Sequence, residues 1–266
     1  MTNPGRNLFM ALVVLFLAAP LLVVAGVSVN AEKQLLFPPR GLSLAWYAEL
    51  FLQPDWLNAV KNSLIIAIFS AALAVSIAFP LAYFLWRHRV WYAKALFALG
   101  LAPFTLPPVI TALGFLVFWV STGFYGQMIA TLVSHAIFFV TLPLVTISLG
   151  LESIDRQLIE ASQVMGADDR TVFRTVILPL VRPYLISGYA FAFVLSLNEY
   201  IVAYMVAGFT VETLPIKIFN SLRYGYTPVM ASVAVMFVLI AILVFGLIAR
   251  FGDLPKLLGA WSSKET

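Results

Sequence analysis

Six long apolar segments run through this chain, and their length decides what it can fold into. They cover roughly residues 8–29, 59–86, 95–120, 127–149, 185–208 and 229–249. A helix needs about 20 apolar residues to cross the ~30 Å hydrocarbon layer of a bilayer. Barrel strands are shorter and alternate apolar with polar residues, so these unbroken runs exclude a barrel. The segments predict an all-α, polytopic membrane protein with six transmembrane helices.

The composition agrees with a protein whose solvent is largely lipid. Of 266 residues, 62% are hydrophobic and only 11% are charged, with a mean hydropathy of +0.98. We expect residues 1–266 to form a single transmembrane domain. The N-terminal run is longer than the apolar region of a signal peptide and no clear cleavage site follows it, so we expect it to be retained as the first helix.

The distribution of Lys and Arg predicts the orientation, because short cytoplasmic loops carry the excess of positive charge. Eleven of the 16 basic residues fall on one side of the predicted spans, which places both termini and the segment 153–184 in the cytoplasm. These residues are scattered over several loops rather than gathered in one stripe, so we expect no nucleic-acid partner.

Segment 153–184 is the one substantial polar island between the spans. Four small or apolar residues recur there at helical spacing and form one face: Leu158, Ala161, Ser162 and Met165. Three polar residues point elsewhere: Arg156, Glu160 and Gln163. Gly166 favours the left-handed conformation that ends a helix, and Asp168 is placed to cap the next helix by accepting from the backbone near Thr171. Pro179 and Pro183 are then expected to bend the chain back towards the membrane.

This glycine corner has too little apolar surface to form a core of its own. Either it presents its small face to a partner protein, or it lies as an amphipathic loop on the lipid headgroups. The pattern alone leaves both alternatives open.

Glu199 is the only acid within a predicted span. An ionisable group inside a membrane is costly unless it meets a partner or a water-filled cavity. Counting 100° per residue places Tyr200 and Tyr204 on nearly one face, with Asn198 and Glu199 beside it. Asn198, Glu199 and Tyr204 are therefore candidates for a solute pathway. The alternative is a carboxyl group that holds two helices together by hydrogen bonds.

Other spans offer weaker signals. Pro103, Pro107 and Pro108 are expected to interrupt the third helix three times, which is typical either of a pathway wall at residues 103–111 or of a structural kink. Ser134 and His135 in the fourth span are expected to make an interhelical hydrogen bond and no more.

Three aromatic residues near the outer interface are expected to anchor the chain in the aromatic belt of the membrane. They are Trp46, Tyr47 and Trp56.

Several chemical functions lack their sequence signature. The chain has no cysteine, no GxxxxGK[ST] phosphate loop and no HExxH or GxSxG motif. The predicted spans contain no pair of carboxylates that could form a catalytic dyad. We expect neither an enzyme nor a bound cofactor or metal in this chain.

The residues of the polar island resemble a known motif. Glu160-Ala161-Ser162, then Gly166, then Val176-x-Leu178-Pro179, resembles the EAA motif of ABC-importer permeases. Ser162 stands where the family usually has Ala, and Val176 where it usually has Ile. Two further stretches, LSLNEYIVAYMVAG from Leu195 and ETLPIKIFNSLRYGYTP from Glu212, are similar to the second permease subunit of spermidine/putrescine-type importers.

That resemblance implies a type I ABC-importer permease in a bacterial inner membrane. It further implies an ATPase subunit dimer that binds ATP and Mg, a second homologous permease and an extracytoplasmic solute-binding protein. The residues it assigns to ATPase coupling are Leu158, Glu160, Ala161, Ser162, Met165 and Gly166. The solute it implies is a polyamine or a similar small cation, and Asn198, Glu199 and Tyr204, singled out above from their position in the fifth span, are the candidates for its pathway.

Alternatives remain at this point. Related importers take phosphonates, opines or amino-acid derivatives. A secondary transporter could use Glu199 as a proton carrier in an ion gradient, and a channel or membrane enzyme would act without any ATPase.

Overall fold

The structure is a computed structural model that describes residues 4–88, 90–224 and 227–251, the last four of them by their backbone alone. Arg89, Lys256 and Lys264, which entered the orientation argument, lie outside the described residues. The described residues form thirteen α-helices and one π-helical turn at Phe173–Ile177. In chain order the helices are α1 (Pro4–Ser28), α2 (Ala45–Leu52), α3 (Pro54–Arg87), α4 (Ala93–Thr105), α5 (Pro108–Thr122), α6 (Met128–Phe139), α7 (Thr141–Glu152), α8 (Arg156–Val164), α9 (Asp169–Val172), α10 (Leu178–Asn198), α11 (Ile201–Ala207), α12 (Leu214–Tyr224) and α13 (Val229–Phe251).

The all-α prediction is confirmed, and the apolar runs form helices of membrane-spanning length. Four continuous helices of the described chain are long and apolar enough to cross a bilayer: Pro4–Ser28, Pro54–Arg87, Asp169–Asn198 and Val229–Leu247. Two pairs of helices are long and apolar enough only when taken together, and each is bent at its break, α4 with α5 by 103° and α6 with α7 by 42°. Counting each pair as one span gives the six that the sequence predicts.

The prediction of three interruptions in the third span is wrong. Pro103 lies inside α4, and the chain breaks once, at Leu106–Pro107. Pro108 is the first residue of α5, a position where the missing N–H would have no helical partner in any case. The three prolines therefore produce one sharp bend rather than three.

The described chain divides into two compact units, Met1–Val60 with Lys217–Ile242, and Lys61–Ile216 with Leu243–Thr266. In the first unit, the loop after α1 is organised by the fully buried Asn30. Its Oδ1 accepts from the backbone N–H of Arg40 at 2.9 Å, and its carbonyl accepts from Trp46 Nε1 at 2.6 Å. Tyr47 OH lies 2.8 Å from Ser28 Oγ. These bonds join α2 to the end of α1.

The aromatic-belt prediction is wrong for two of the three residues. Trp46 is 9% exposed and Trp56 is 3% exposed, so both rings belong to the core of their unit. A belt residue keeps its polar edge in water, whereas the indole N–H of Trp46 is satisfied by a backbone carbonyl.

The second unit is built on close contacts between small residues. Five alanines recur every three or four residues along α3 and are at most 1% exposed: Ala67, Ala71, Ala74, Ala78 and Ala82. Across from them, α7 packs against α10 so closely that a Cβ on Gly188 would lie 2.8 Å from the Cα of Pro143. Lipid is as apolar as the helix surface, so membrane helices associate mainly through van der Waals packing. Small residues permit the close approach that such packing requires.

The helix after the glycine corner is longer than the sequence suggests. Residues Asp169–Asn198 form one continuous helix of 30 residues that includes the π-helical turn. The predicted bend at Pro179 and Pro183 is therefore wrong. The wider π-helical turn immediately before Pro179 makes room for a proline ring that would clash in a regular α-helix.

Candidate functional site

The fifth predicted span is interrupted at Glu199, which corrects the continuous helix expected over residues 185–208. Glu199 has an extended backbone between α10 and α11 (φ −77, ψ 126). Its Oε1 accepts from the N–H of Val202 and its Oε2 from the N–H of Ala203, both at 2.9 Å. The carboxylate thus satisfies backbone donors that the first turn of a helix leaves open.

Glu199 also faces a histidine from another span. His135 Nε2, on α6, lies 3.2 Å from Glu199 Oε2, and the two side chains are 1% and 7% exposed. The atoms are not aligned as a good hydrogen bond, so the attraction between them is chiefly electrostatic. Among the described residues this is the one contact between an acidic and a basic side chain in which both are buried, and it is an ion pair when His135 is protonated.

A chain of hydroxyl groups extends the pair across three helices. His135 Nδ1 lies 2.8 Å from Ser196 Oγ on α10, and Ser196 Oγ lies 3.0 Å from Ser70 Oγ on α3. Ser70 Oγ also donates to the carbonyl of Ala67 at 3.3 Å. The interhelical hydrogen bond expected of His135 is present, whereas its pairing with Glu199 was not predicted.

The three predicted pathway residues occupy different environments. Asn198 is exposed and its Nδ2 donates to the carbonyl of Val194 at 2.7 Å. Tyr204 is half-buried and stacks on Tyr200, with ring centroids 5.3 Å apart. The expectation that these two tyrosines share a face is therefore met. The carboxylate of Glu199 faces the protein interior, whereas the neighbouring Asn198 is exposed.

The second candidate surface is the corner between α8 and α9. Asp155 caps α8 by accepting from the N–H of Gln157 at 2.9 Å, and Asp168 caps α9 by accepting from Thr171 N at 3.0 Å. Gly166 joins the helices with φ +89. The predicted glycine corner and its Asp168 cap are confirmed.

The exposed face of α8 differs in part from the predicted one. Leu158 is 50% exposed, Met165 is 82% exposed, and Ala161 lies between them on the surface. Ser162 faces inward at 8% exposure, which corrects its assignment to this face. Val164, which periodicity did not single out, is 88% exposed.

Ser162 faces inward beside Ile159, whose contacts with helices distant in the chain set the inner face of α8. Its hydroxyl donates to the carbonyl of Ile159 at 2.7 Å, and Ile159 packs on the core formed by α3, α7 and α10.

The polar residues of α8 form a separate surface. A cleft of about 200 Å³ is lined by Trp86, Arg87, Arg156, Ile159, Glu160 and Gln163.

Residues 74–253 match the family described as binding-protein-dependent transport system inner membrane components. This match covers well over half of the chain. The chain belongs to this family. It is thus the permease component of an ABC importer, and not itself the site of a chemical reaction.

Named relatives of the permease cover nearly its full length. It is 30% identical over 241 residues to the spermidine/putrescine transport system permease protein PotC of Haemophilus influenzae, covering 89% of this chain and 92% of the relative. It is 33% identical over 256 residues to the putrescine transport system permease protein PotI of Escherichia coli K12, covering 94% of this chain and 90% of the relative.

A solved structure supports the fold of the permease. A bacterial ABC transporter involved in the import of the acidic polysaccharide alginate matches with a TM-score of 0.68 and 16% identity. The match covers 94% of this chain and 99% of that one. At this identity the likeness shows the fold alone.

Sequence reasoning missed two members of the polar cluster in this permease, Ser70 and Ser196, and it missed the pairing of His135 with Glu199. One signal for His135 was available, since Glu199 is the only acid and His135 the only histidine within the predicted spans. A lone acid and a lone base, each costly in lipid, are natural partners.

Proposed function

We propose that the chain is the permease subunit of an ATP-driven importer for a polyamine or a similar small cationic solute. Membership in the permease family supports the importer. Two observations support the cationic solute: relatives at 30% and 33% identity carry the names of polyamine systems, and the break in the fifth span holds a single buried carboxylate.

Coupling to ATP hydrolysis is proposed to occur at the corner formed by α8, Gly166 and α9. The observation that carries this proposal is the exposure of Leu158, Val164 and Met165 on a short helix outside the candidate spans. Soluble surfaces rarely leave such side chains uncovered together unless a partner binds there. Ala161 and Glu160 belong to the same surface, which is proposed to bind in a cleft of the ATPase. Ser162 is buried beneath this surface and lies on the inner side of α8. ATP and Mg would be bound by the ATPase subunits and not by this chain.

The solute is proposed to pass Asn198, Glu199 and Tyr204. A carboxylate offsets part of the hydration that an ammonium group loses on leaving water. The stacked rings of Tyr200 and Tyr204 offer a face for a cation–π contact beside it. A single acid keeps the attraction modest, and a transported ion must leave as readily as it binds.

The remaining partners follow from the same proposal. Residues 1–266 act as one permease domain in an inner membrane, with both termini in the cytoplasm. A second homologous permease completes the passage, and an extracytoplasmic solute-binding protein delivers the solute.

Coupling is tested by co-purification. Met165→Asp places a charge on the exposed face and is expected to abolish recovery of the ATPase with the permease, whereas Met165→Leu is expected to retain it. Since the chain has no cysteine, Met165→Cys also reports the side of the membrane by labelling. Labelling from outside the cell would overturn the cytoplasmic position of the corner.

The solute is tested by binding and by uptake. The cognate solute-binding protein is titrated with polyamines, amino acids and phosphonates, and the solute that binds is then used in proteoliposomes. Glu199→Gln keeps size while removing charge, and it is expected to depress uptake of a cation without dissociating the complex. Glu152→Gln, at the exposed end of α7, removes one acid elsewhere and is expected to transport normally.

Three outcomes would change the proposal. Normal uptake by Glu199→Gln would show that the carboxylate is not part of the solute pathway and that its role is to hold two helices together. Binding of an anionic solute would overturn the cationic assignment and leave the importer. Uptake driven by a proton gradient without ATP would instead support a secondary transporter.

A further inference from the structure

Both ring nitrogens of the buried His135 lie close to a polar atom of another residue. Nε2 faces Glu199 Oε2 at 3.2 Å, and Nδ1 faces Ser196 Oγ at 2.8 Å. The ring therefore spans the distance between a serine on α10 and the carboxylate just beyond the end of that helix. At 1% exposure its side chain has almost no contact with solvent.

The serine chain satisfies His135 in either of its charge states. If the ring is neutral with its proton on Nε2, Ser70 can donate to Ser196 and Ser196 to Nδ1. If the ring is protonated, Ser196 accepts from Nδ1 and donates to Ser70, which then donates to the carbonyl of Ala67 at 3.3 Å. Hydroxyl groups rotate freely enough to reverse such a chain. His135 can thus present an Nε2–H to Glu199 in both states.

Glu199 has two kinds of donors in this position. The N–H groups of Val202 and Ala203 belong to α11 and move with it. His135 belongs to α6, so among the described residues it is the one that ties the carboxylate to a different span. Removing His135 would leave the local cap intact while freeing the carboxylate from the fourth span.

We propose that His135 is the positioning residue for Glu199. It holds the carboxylate in the inward position, and the carboxylate exchanges this contact for the ammonium group of the solute as the solute passes. The inference rests on the proposed function, since it assumes that Glu199 meets the solute. His135 acts through Glu199 and does not itself touch the solute.

The test is a double-mutant cycle on uptake in proteoliposomes that contain the whole importer. His135→Leu is expected to lower uptake about tenfold or more, as removal of one partner of a buried charge does elsewhere. In the Glu199→Gln background the same change is expected to have an effect of less than about twofold, because the charge it positions is already gone. Solute-stimulated ATP hydrolysis is measured beside uptake, and transport per ATP is expected to fall.

Conservative variants separate positioning from packing. The amide of His135→Gln can donate towards Glu199 and accept from Ser196, so this variant is expected to recover uptake to within about threefold of wild type. His135→Asn is one methylene shorter and is expected to recover much less. If His135→Leu does not assemble, the comparison of the Gln and Asn variants carries the test. His88→Gln, at the exposed second histidine, is the matched control and is expected to behave as wild type.

The outcomes distinguish this inference from the function on which it rests. An equal loss from His135→Leu in the wild-type and in the Glu199→Gln background would show a purely structural role and overturn the inference, while the pathway would stand. Equal recovery by the Gln and Asn variants would overturn it as well. Normal uptake by Glu199→Gln alone would overturn the pathway assignment itself.

Discussion

Arg87, the last residue of α3, contacts Asp169, the first residue of α9, with Nη2 3.2 Å from Oδ1. The contact joins the end of one candidate span to the start of the helix that follows the glycine corner. Both side chains are largely in solvent, at 41% and 78% exposure, so bulk water and salt screen their attraction. The pair therefore orients the corner more than it stabilises the fold.

We expect the Arg87–Asp169 pair to contribute no more than about 1 kcal/mol to stability. Thermal unfolding of Arg87→Gln, Asp169→Asn and the double variant in detergent should give this coupling energy, and it should shrink further at high salt. A coupling energy of several kcal/mol that survives high salt would contradict this prediction.

Replacing Gly166 should misalign the exposed face of α8. Its φ of +89 lies in the left-handed region, where an L-residue costs about 1–2 kcal/mol and a β-branched residue is worse. Gly166→Val should relax the corner and lower both uptake and ATPase co-purification. No atom of the residues that the structure describes lies within 4 Å of a Cβ built there, so strain and not collision is the cause.

Gly114 in α5 provides the control for Gly166. It also has open space around a built Cβ but lacks the positive φ. Gly114→Ala should be neutral or stabilise the protein by up to about 1 kcal/mol. Wild-type uptake and co-purification in Gly166→Val would remove the corner from the coupling pathway.

Gly188 should tolerate no larger residue, because its α10 backbone lies against α7. A Cβ would stand 2.8 Å from the Cα of Pro143 and the Oγ1 of Thr146, and backbone cannot move aside as a side chain can. Gly188→Ala should destabilise the protein by about 1–3 kcal/mol, measured by thermal unfolding in detergent. Gly246→Ala on α13, where no atom of the described part of the chain lies within 4 Å of a built Cβ, should have no such effect. Similar unfolding temperatures for the two variants would argue against this helix contact.

The cap at Asp168 should make the corner sensitive to acid. Hydrogen bonds from the hydroxyl and then the backbone N–H of Thr171 hold the pKa of Asp168 below its ordinary value. The ionised form is the one stabilised by folding, so its contribution is complete above the pKa of an unfolded aspartate and disappears as pH falls through the lowered pKa. Asp168→Asn keeps a capping oxygen that does not titrate. Its unfolding temperature should fall less steeply than that of wild type as the pH is lowered into this range. Parallel pH profiles would contradict the role of this carboxylate.

Local patterns in the chain predict local geometry well. The exposure of Leu158 and Met165, the turn at Gly166 and the cap at Asp168 all depend on residues within one or two helical turns. The same reasoning failed for Ser162, because the inner face of α8 is set by the contact of Ile159 with helices distant in the chain. The contact between the buried His135 and Glu199 is even less predictable from local sequence patterns. It exists only because α6 packs beside the break after α10, and no periodicity within either segment specifies that contact.

The unbroken helix from Asp169 to Asn198 has a mechanical consequence. At 1.5 Å per residue its 30 residues form a lever arm of about 45 Å, with the glycine corner at one end and the Glu199 break at the other. A tilt of about 5° around the Asp169 end displaces the Asn198 end by about 4 Å, which exceeds the 3.2 Å between His135 and Glu199. With α6 held in place, a rotation of this size is thus large enough to separate the histidine from the carboxylate.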